Sequence, residues 1–135
     1  MEVLPALERI RQASADGSLA ELCRSQGIEL LVLFGSAVSS PTPGDIDLAV
    51  GFEPAGAGNL LDAVNALSEA FATDALDVMD LDRAGPVARQ RALTRGEILH
   101  QSSPRAFSER HLWALAEYME TAGLRQLQRE VLAGG

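Results

Sequence analysis

The sequence predicts an α/β domain, a small sheet with helices packed around it, and three observations carry that expectation. Apolar runs of strand length alternate with segments of helical periodicity from Ile28 to Gln101. Glycine, proline and serine clusters fall between these segments. The 135 residues are 47% hydrophobic, enough for one domain with a proper core, and they show no internal repeat or low-complexity tract.

The elements follow in order. Pro5–Ala13 has helical spacing at Leu4, Leu7 and Ile10, and Asp16-Gly17-Ser18 interrupts it. A second helix is expected over Ser18–Ser25, stopped by Gly27. Ile28–Phe34 is an apolar run, the pattern of a central strand buried on both faces. A helical turn over Ser36–Ser40 and a rigid Pro41-Thr42-Pro43-Gly44 turn lead to a second strand, Asp45–Phe52. Pro54–Gly58 is a loop. Asn59–Ala72 is an amphipathic helix with Leu60, Leu61, Val64, Leu67, Ala70 and Phe71 on one side. Leu76–Leu81 is a third strand. Pro86–Thr94 is a helix with proline near its start, ended by Arg95-Gly96 before a short fourth strand, Glu97–Gln101. After Ser102-Ser103-Pro104 comes a long helical pattern, Arg105–Leu132, which Gly123 should break or kink. Its stripe of Phe107, Leu112, Leu115, Tyr118, Met119, Leu124, Leu127 and Val131 either packs on the domain or meets a partner. Residues 1–102 are thus read as the main domain and 103–135 as a helical extension packed on it.

Composition excludes several chemistries. The formal charge of −8 opposes general nucleic-acid binding, which leaves a basic footprint, and suits a metal–nucleotide site or a basic protein partner. All eleven basic residues are arginine, so lysine Schiff-base chemistry and a Walker-type phosphate loop are excluded. Cys23 is the single cysteine, which rules out an internal disulfide or a thiolate zinc site, and it reads as a buried core thiol. There is no signal-peptide pattern and no apolar run of membrane-spanning length, so a cytoplasmic protein without membrane contact is expected.

The chemistry concentrates in three segments. Residues two apart on a strand share a face, so Asp45 and Asp47 project together while Ile46, Leu48 and Val50 face a core. Two adjacent carboxylates raise each other's pKa unless a cation lies between them, and hard carboxylate oxygens suit Mg²⁺. In Leu76-Asp77-Val78-Met79-Asp80, the apolar Leu76 and Val78 place Asp77 on the opposite, open face of the sheet, in preference to Asp80. Asp80 and Asp82 are read as caps of the turn and the next helix. Gly35-Ser36, following an apolar strand, can offer backbone N–H groups and a hydroxyl to phosphate; the same geometry would serve a plain helix cap. Phosphate cradle and carboxylate pair together are the parts of metal-assisted phosphoryl or nucleotidyl transfer. Arg89, Arg91 and Arg95 are either a solvated helix face or a phosphate clamp. His100 reads as a structural strand residue, His111 as a surface position and Trp113 as a packing position.

Leu33-Phe34-Gly35-Ser36, Gly44-Asp45-Ile46-Asp47-Leu48-Ala49-Val50 and Leu76-Asp77-Val78-Met79-Asp80 together resemble the nucleotidyltransferase superfamily of DNA polymerase β and kanamycin nucleotidyltransferase. They are most similar to the minimal nucleotidyltransferases, MntA-type antitoxins paired with HEPN-domain toxins. Arg95-Gly96-Glu97-Ile98-Leu99-His100 matches a further family strand, so the resemblance covers about residues 20 to 101. It implies a mixed sheet and a site for two Mg²⁺ ions, with ATP as substrate. Asp45 and Asp47 would bind the metals, and Asp77 would be the third carboxylate and the general base. Gly35 and Ser36 would hold the triphosphate. The resemblance implies transfer of AMP to a tyrosine of the toxin. Positions where the family often carries arginine are Ala37 and Ser39 here, and the eight residues between Ser36 and Asp45 are fewer than usual. Two alternatives therefore stand beside the enzyme: an antitoxin that works by docking alone, and a transferase acting on a small molecule.

Overall fold

In the computed structural model, which describes residues 3–54, 56 and 58–134, four strands form one mixed sheet in the order β3-β2-β1-β4. The elements are α1 (Val3–Asp16), α2 (Ser18–Ser25), β1 (Ile28–Phe34), α3 (Ser36–Ser39), β2 (Ile46–Phe52), α4 (Leu60–Ala70), β3 (Leu76–Asp80), α5 (Pro86–Thr94), β4 (Glu97–Gln101), α6 (Ala106–Glu120) and α7 (Ala122–Gly134). β1 runs antiparallel to both β2 and β4, and β2 runs parallel to β3. A parallel neighbour needs a crossover, and α4 provides it. The core of Pro54–Gly58, expected as a loop, includes two positions, 55 and 57, outside the described residues.

Both faces of the sheet are covered. On one side Ile28, Leu31, Leu33, Ile46, Leu48 and Val50 pack with α1, α2 and α4. On the other, Leu30, Val32 and Ala49 pack with Leu81, Ala92, Leu93, Ala106 and Ala114 from β3's end, α5 and α6. Strict alternation would place Ile28 with Leu30, yet Ile28 shares its face with Leu31. The register shift between Ile28 and Leu30 explains this, because an irregularity in the ladder resets the period of two. The sequence expectation of one open sheet face is corrected here: α5 and α6 cover that face over Val32 and Ala49, and only its end near Phe34 stays accessible.

Local signals account for most boundaries. Asn59 caps α4, its side-chain oxygen accepting from the Asp62 N–H at 2.9 Å. Pro86 opens α5, where its missing N–H costs nothing. Within α4, Ala63 and Leu67 take the core positions, joined by Phe71 just after its end, while Leu61, on the apolar side by its spacing, is 70% exposed. The break in the terminal helix comes at Thr121, and Gly123 lies inside α7. Trp113 is not a packing residue, since it is 75% exposed and the neighbouring Ala114 takes the buried position. No helix among the described residues is long and apolar enough to cross a membrane.

Candidate active site

The candidate site is built on one row across the sheet. Phe34 of β1 pairs with Asp47 of β2, which pairs with Asp77 of β3. Asp45 lies one residue before β2 rather than inside it, a small correction to the expected strand. It still comes alongside: one carboxylate oxygen each from Asp45, Asp47 and Asp77 lie within 4.8 Å of one another. Asp45 and Asp77 are exposed and Asp47 is half-buried. Asp47 shares the sheet face of Ala49, and Asp77 that of Met79, as the alternation requires.

Burial raises the pKa of Asp47, and the nearby charges of Asp45 and Asp77 raise it further. Both causes act against the ionised form. No arginine forms an ion pair with any of the three among the described residues. Three converging hard oxygens and an elevated pKa are a donor set that fits a divalent cation, Mg²⁺ above all. Exposed acidic groups also cluster without an ion, so the fit rests on this geometry together with what lies next to it.

What lies next to it is Gly35, immediately after Phe34. Its φ is +71°, a conformation that favours glycine. A Cβ at this position would collide with Asp47 Oδ2 and lie 3.2 Å from Asp47 Cγ. Glycine is thus required twice over, by its dihedral and by the carboxylate against it. Gly35 is also the N-cap of α3, with no side-chain cap bond, so Ser36 does not serve as the helix cap that the sequence left open. The Gly35 carbonyl accepts from the N–H groups of Val38 and Ser39 and from the Ser39 hydroxyl.

The remaining candidates separate. Arg89 is consumed structurally: Nε and Nη2 donate to the carbonyls of Leu81 and Ala84, each at 2.7 Å, and Nη1 pairs with Glu117. Arg91 and Arg95 are exposed and, with Val87, Thr94 and Tyr118, line a cavity of about 330 Å³. Asp80 does cap the turn, accepting from the Asp82 N–H at 2.9 Å. Asp82 caps no helix, since the N-cap of α5 is Gly85; it accepts instead from the Phe52 N–H and faces Arg110. Cys23 is fully buried, and burial pushes its thiol up to about 12, so it is unreactive. His100 is half-buried, and burial lowers its pKa. The residue that sequence reasoning missed is Arg110, which pairs with Glu29 and binds the Phe52 carbonyl. No local motif announces it, because its partners lie 81 and 58 positions away.

The family model described as "Polymerase beta, Nucleotidyltransferase" matches residues 18–105. Among solved structures, one described as a toxin-antitoxin with AMP-PNP is 22% identical with a TM-score of 0.71. That match covers 87% of this chain and 97% of the other. The MntA-HepT toxin-antitoxin matches with a TM-score of 0.68 at 22% identity, over 90% of this chain and 98% of that one. A third describes a tri-AMPylated Shewanella oneidensis HEPN toxin in complex with MNT antitoxin, with a TM-score of 0.69 at 22% identity over 91% and 98%. At these identities the likeness establishes the shared fold. No curated protein matches the chain significantly.

Proposed function

We propose that this chain, which belongs to the polymerase β nucleotidyltransferase family, transfers AMP from ATP to a protein acceptor, a tyrosine of a cognate HEPN-type toxin. One observation carries the reading: Asp45, Asp47 and Asp77 converge within 4.8 Å, directly against the glycine of Gly35-Ser36. The relatives described with AMP-PNP and with a tri-AMPylated toxin support the choice of nucleotide and acceptor.

In this reading the three aspartates hold Mg²⁺. Two such ions would offset the charge of the carboxylates and the triphosphate and lower the acceptor's pKa. Ser36 Oγ and the backbone after Gly35 hold the phosphates. Asp77, exposed at the rim, accepts the acceptor's proton. The acceptor oxygen then bonds to the α-phosphorus, and pyrophosphate leaves.

A second reading, an antitoxin that neutralises by docking alone, is favoured by the phosphate side. Ala37 is buried, and the Ser39 hydroxyl is turned to the Gly35 carbonyl, so neither position supplies a cation. Arg89 is engaged elsewhere.

Intact-mass spectrometry separates the two. The chain is incubated with ATP, Mg²⁺ and the product of the neighbouring gene. Transfer predicts a mass gain of one or more AMP units on that product, lost in Asp77→Asn while the complex survives. Neutralisation without any mass gain would establish the docking reading instead.

A further inference from the structure

α7 has thirteen residues, and all but Arg125 among those whose burial is described are exposed. A helix of this length is marginal alone in water and needs tertiary support. Support from its own chain reaches only its start, where Arg125 lies over the Tyr118 ring at 3.7 Å and donates to the Tyr118 carbonyl. Yet α7 carries an apolar stripe at the spacing i, i+3, i+7: Leu124, Leu127 and Val131, each more than half exposed. On α6 the same spacing recurs in Leu112, Leu115 and Met119, all exposed. Alternation of three and four is the seam pattern of paired helices.

A second set on α6, Leu112, Ala116 and Met119, mirrors the α7 stripe about the junction of the two helices. Counted outward from the junction between Thr121 and Ala122, Met119 and Leu124 are equidistant. So are Ala116 and Leu127, and so are Leu112 and Val131. Apolar positions set at equal distances on either side of one point face one another under a two-fold axis through that point. We propose that a second copy of this chain covers this face, its α6–α7 unit lying antiparallel across the junction. Met119 then meets the copy's Leu124, Leu112 meets Val131, and the small Ala116 receives Leu127.

Charge favours the same occupant. Residues 1–105 carry fifteen acidic and eight basic side chains, and residues 106–135, which include α6 and α7, carry four and three. Two copies of a chain at −8 repel, and the α6–α7 face is the route on which the acidic part of each is kept off the contact. Along the contact, α6 holds Glu109, Glu117 and Glu120 against Arg110, while α7 holds Arg125 and Arg129 against Glu130. The antiparallel arrangement places the acidic helix of one copy along the basic helix of the other.

Sedimentation velocity on the purified full-length chain, with no nucleotide and no other protein, tests this. The expected result is a species of twice the chain mass that dissociates on dilution. The double variant M119E and L124E, which opposes like charges beside the axis, should sediment as a monomer. Both positions are exposed, so β-sheet circular dichroism should be retained while some helical signal from α7 is lost. L61E, at an equally exposed leucine on α4, should leave the dimer intact. A wild-type chain that is monomeric at every concentration overturns the proposal and hands the face to a different protein. A dimer that survives in the double variant overturns it as well.

Discussion

The two ends of the central sheet both gather acidic side chains, and they treat them in opposite ways. At the end near Ile28 and Phe52, Glu29 and Asp82 surround Arg110, whose side chain is only 17% exposed. Its guanidinium also donates to the Phe52 carbonyl at 3.0 Å. At the end near Phe34, Asp45, Asp47 and Asp77 face one another, and among the described residues no arginine forms an ion pair with them. Arg110 Nε is buried without a hydrogen bond, 3.6 Å from Asp82 Oδ1, so the cation there is held by charge on that side. A carboxylate cluster is informative by what it lacks. A fold that can supply an arginine to one end leaves the other end uncompensated, and the resulting strain on Asp47 is what a metal–nucleotide complex would relieve.

Breaking the paired end should give the largest effect. Arg110→Met strands Glu29 and the Phe52 carbonyl in a half-buried place, and a loss of about 3–5 kcal/mol is expected. Urea denaturation measures it; a loss near zero would mean that the cluster contributes nothing to folding. At the unpaired end, Gly35→Ala should cost about 1–3 kcal/mol for a non-glycine residue held at positive φ. The added methyl also displaces Asp47, so nucleotide transfer should fall further than stability does. Equal losses in both would show that Asp47 simply moves aside.

Ser36→Ala is expected to weaken nucleotide binding by about 1–2 kcal/mol, the worth of one hydrogen bond to a charged group, with folding unchanged. Calorimetry on the variant checks this, and a folding defect larger than the binding defect would return Ser36 to a structural role. The smallest effect is on stability at Asp47. Its folded pKa lies above the ordinary value of 3.8, so the native state holds the proton longer than the unfolded chain does. The penalty is absent below about 3.8, develops as pH rises toward the folded pKa, and persists at neutrality. Asp47→Asn should therefore be slightly more stable than the parent at pH 7, with the difference vanishing in acid. Mg²⁺ should raise the melting temperature of the parent and not that of the variant. A variant less stable than the parent at neutral pH would mean that the carboxylate is compensated after all.

Much of this was legible because it is local. The apolar run Ile28–Phe34, the turn residues of Pro41–Gly44 and the Pro86 start each act within a few positions, and the elements fall there. The alternation in Asp45-Ile46-Asp47 and Leu76-Asp77-Val78 places Ile46, Leu76 and Val78 toward one core and the carboxylates away from it. The failures share a cause too. Helical spacing puts Leu61 on the apolar side, yet it is exposed, because spacing gives a stripe without saying which of its sides meets the sheet; Trp113, read as a packing position, is exposed as well. Arg89 was open between solvent and phosphate, and its fate depends on carbonyls exposed by the turn before α5.

By itself, then, the sequence determined the elements, the pairing of apolar and acidic residues along each strand, and the three aspartates with their glycine. Those follow from backbone periodicity and from the conformational limits of glycine and proline, which act over short distances. Only the tertiary structure decided the strand order, the cover that α5 and α6 place over the second sheet face, and the assignment of Arg110 to one acidic cluster while no described arginine pairs with the other. Those depend on contacts between residues tens of positions apart, where burial and charge, rather than local propensity, select the partner.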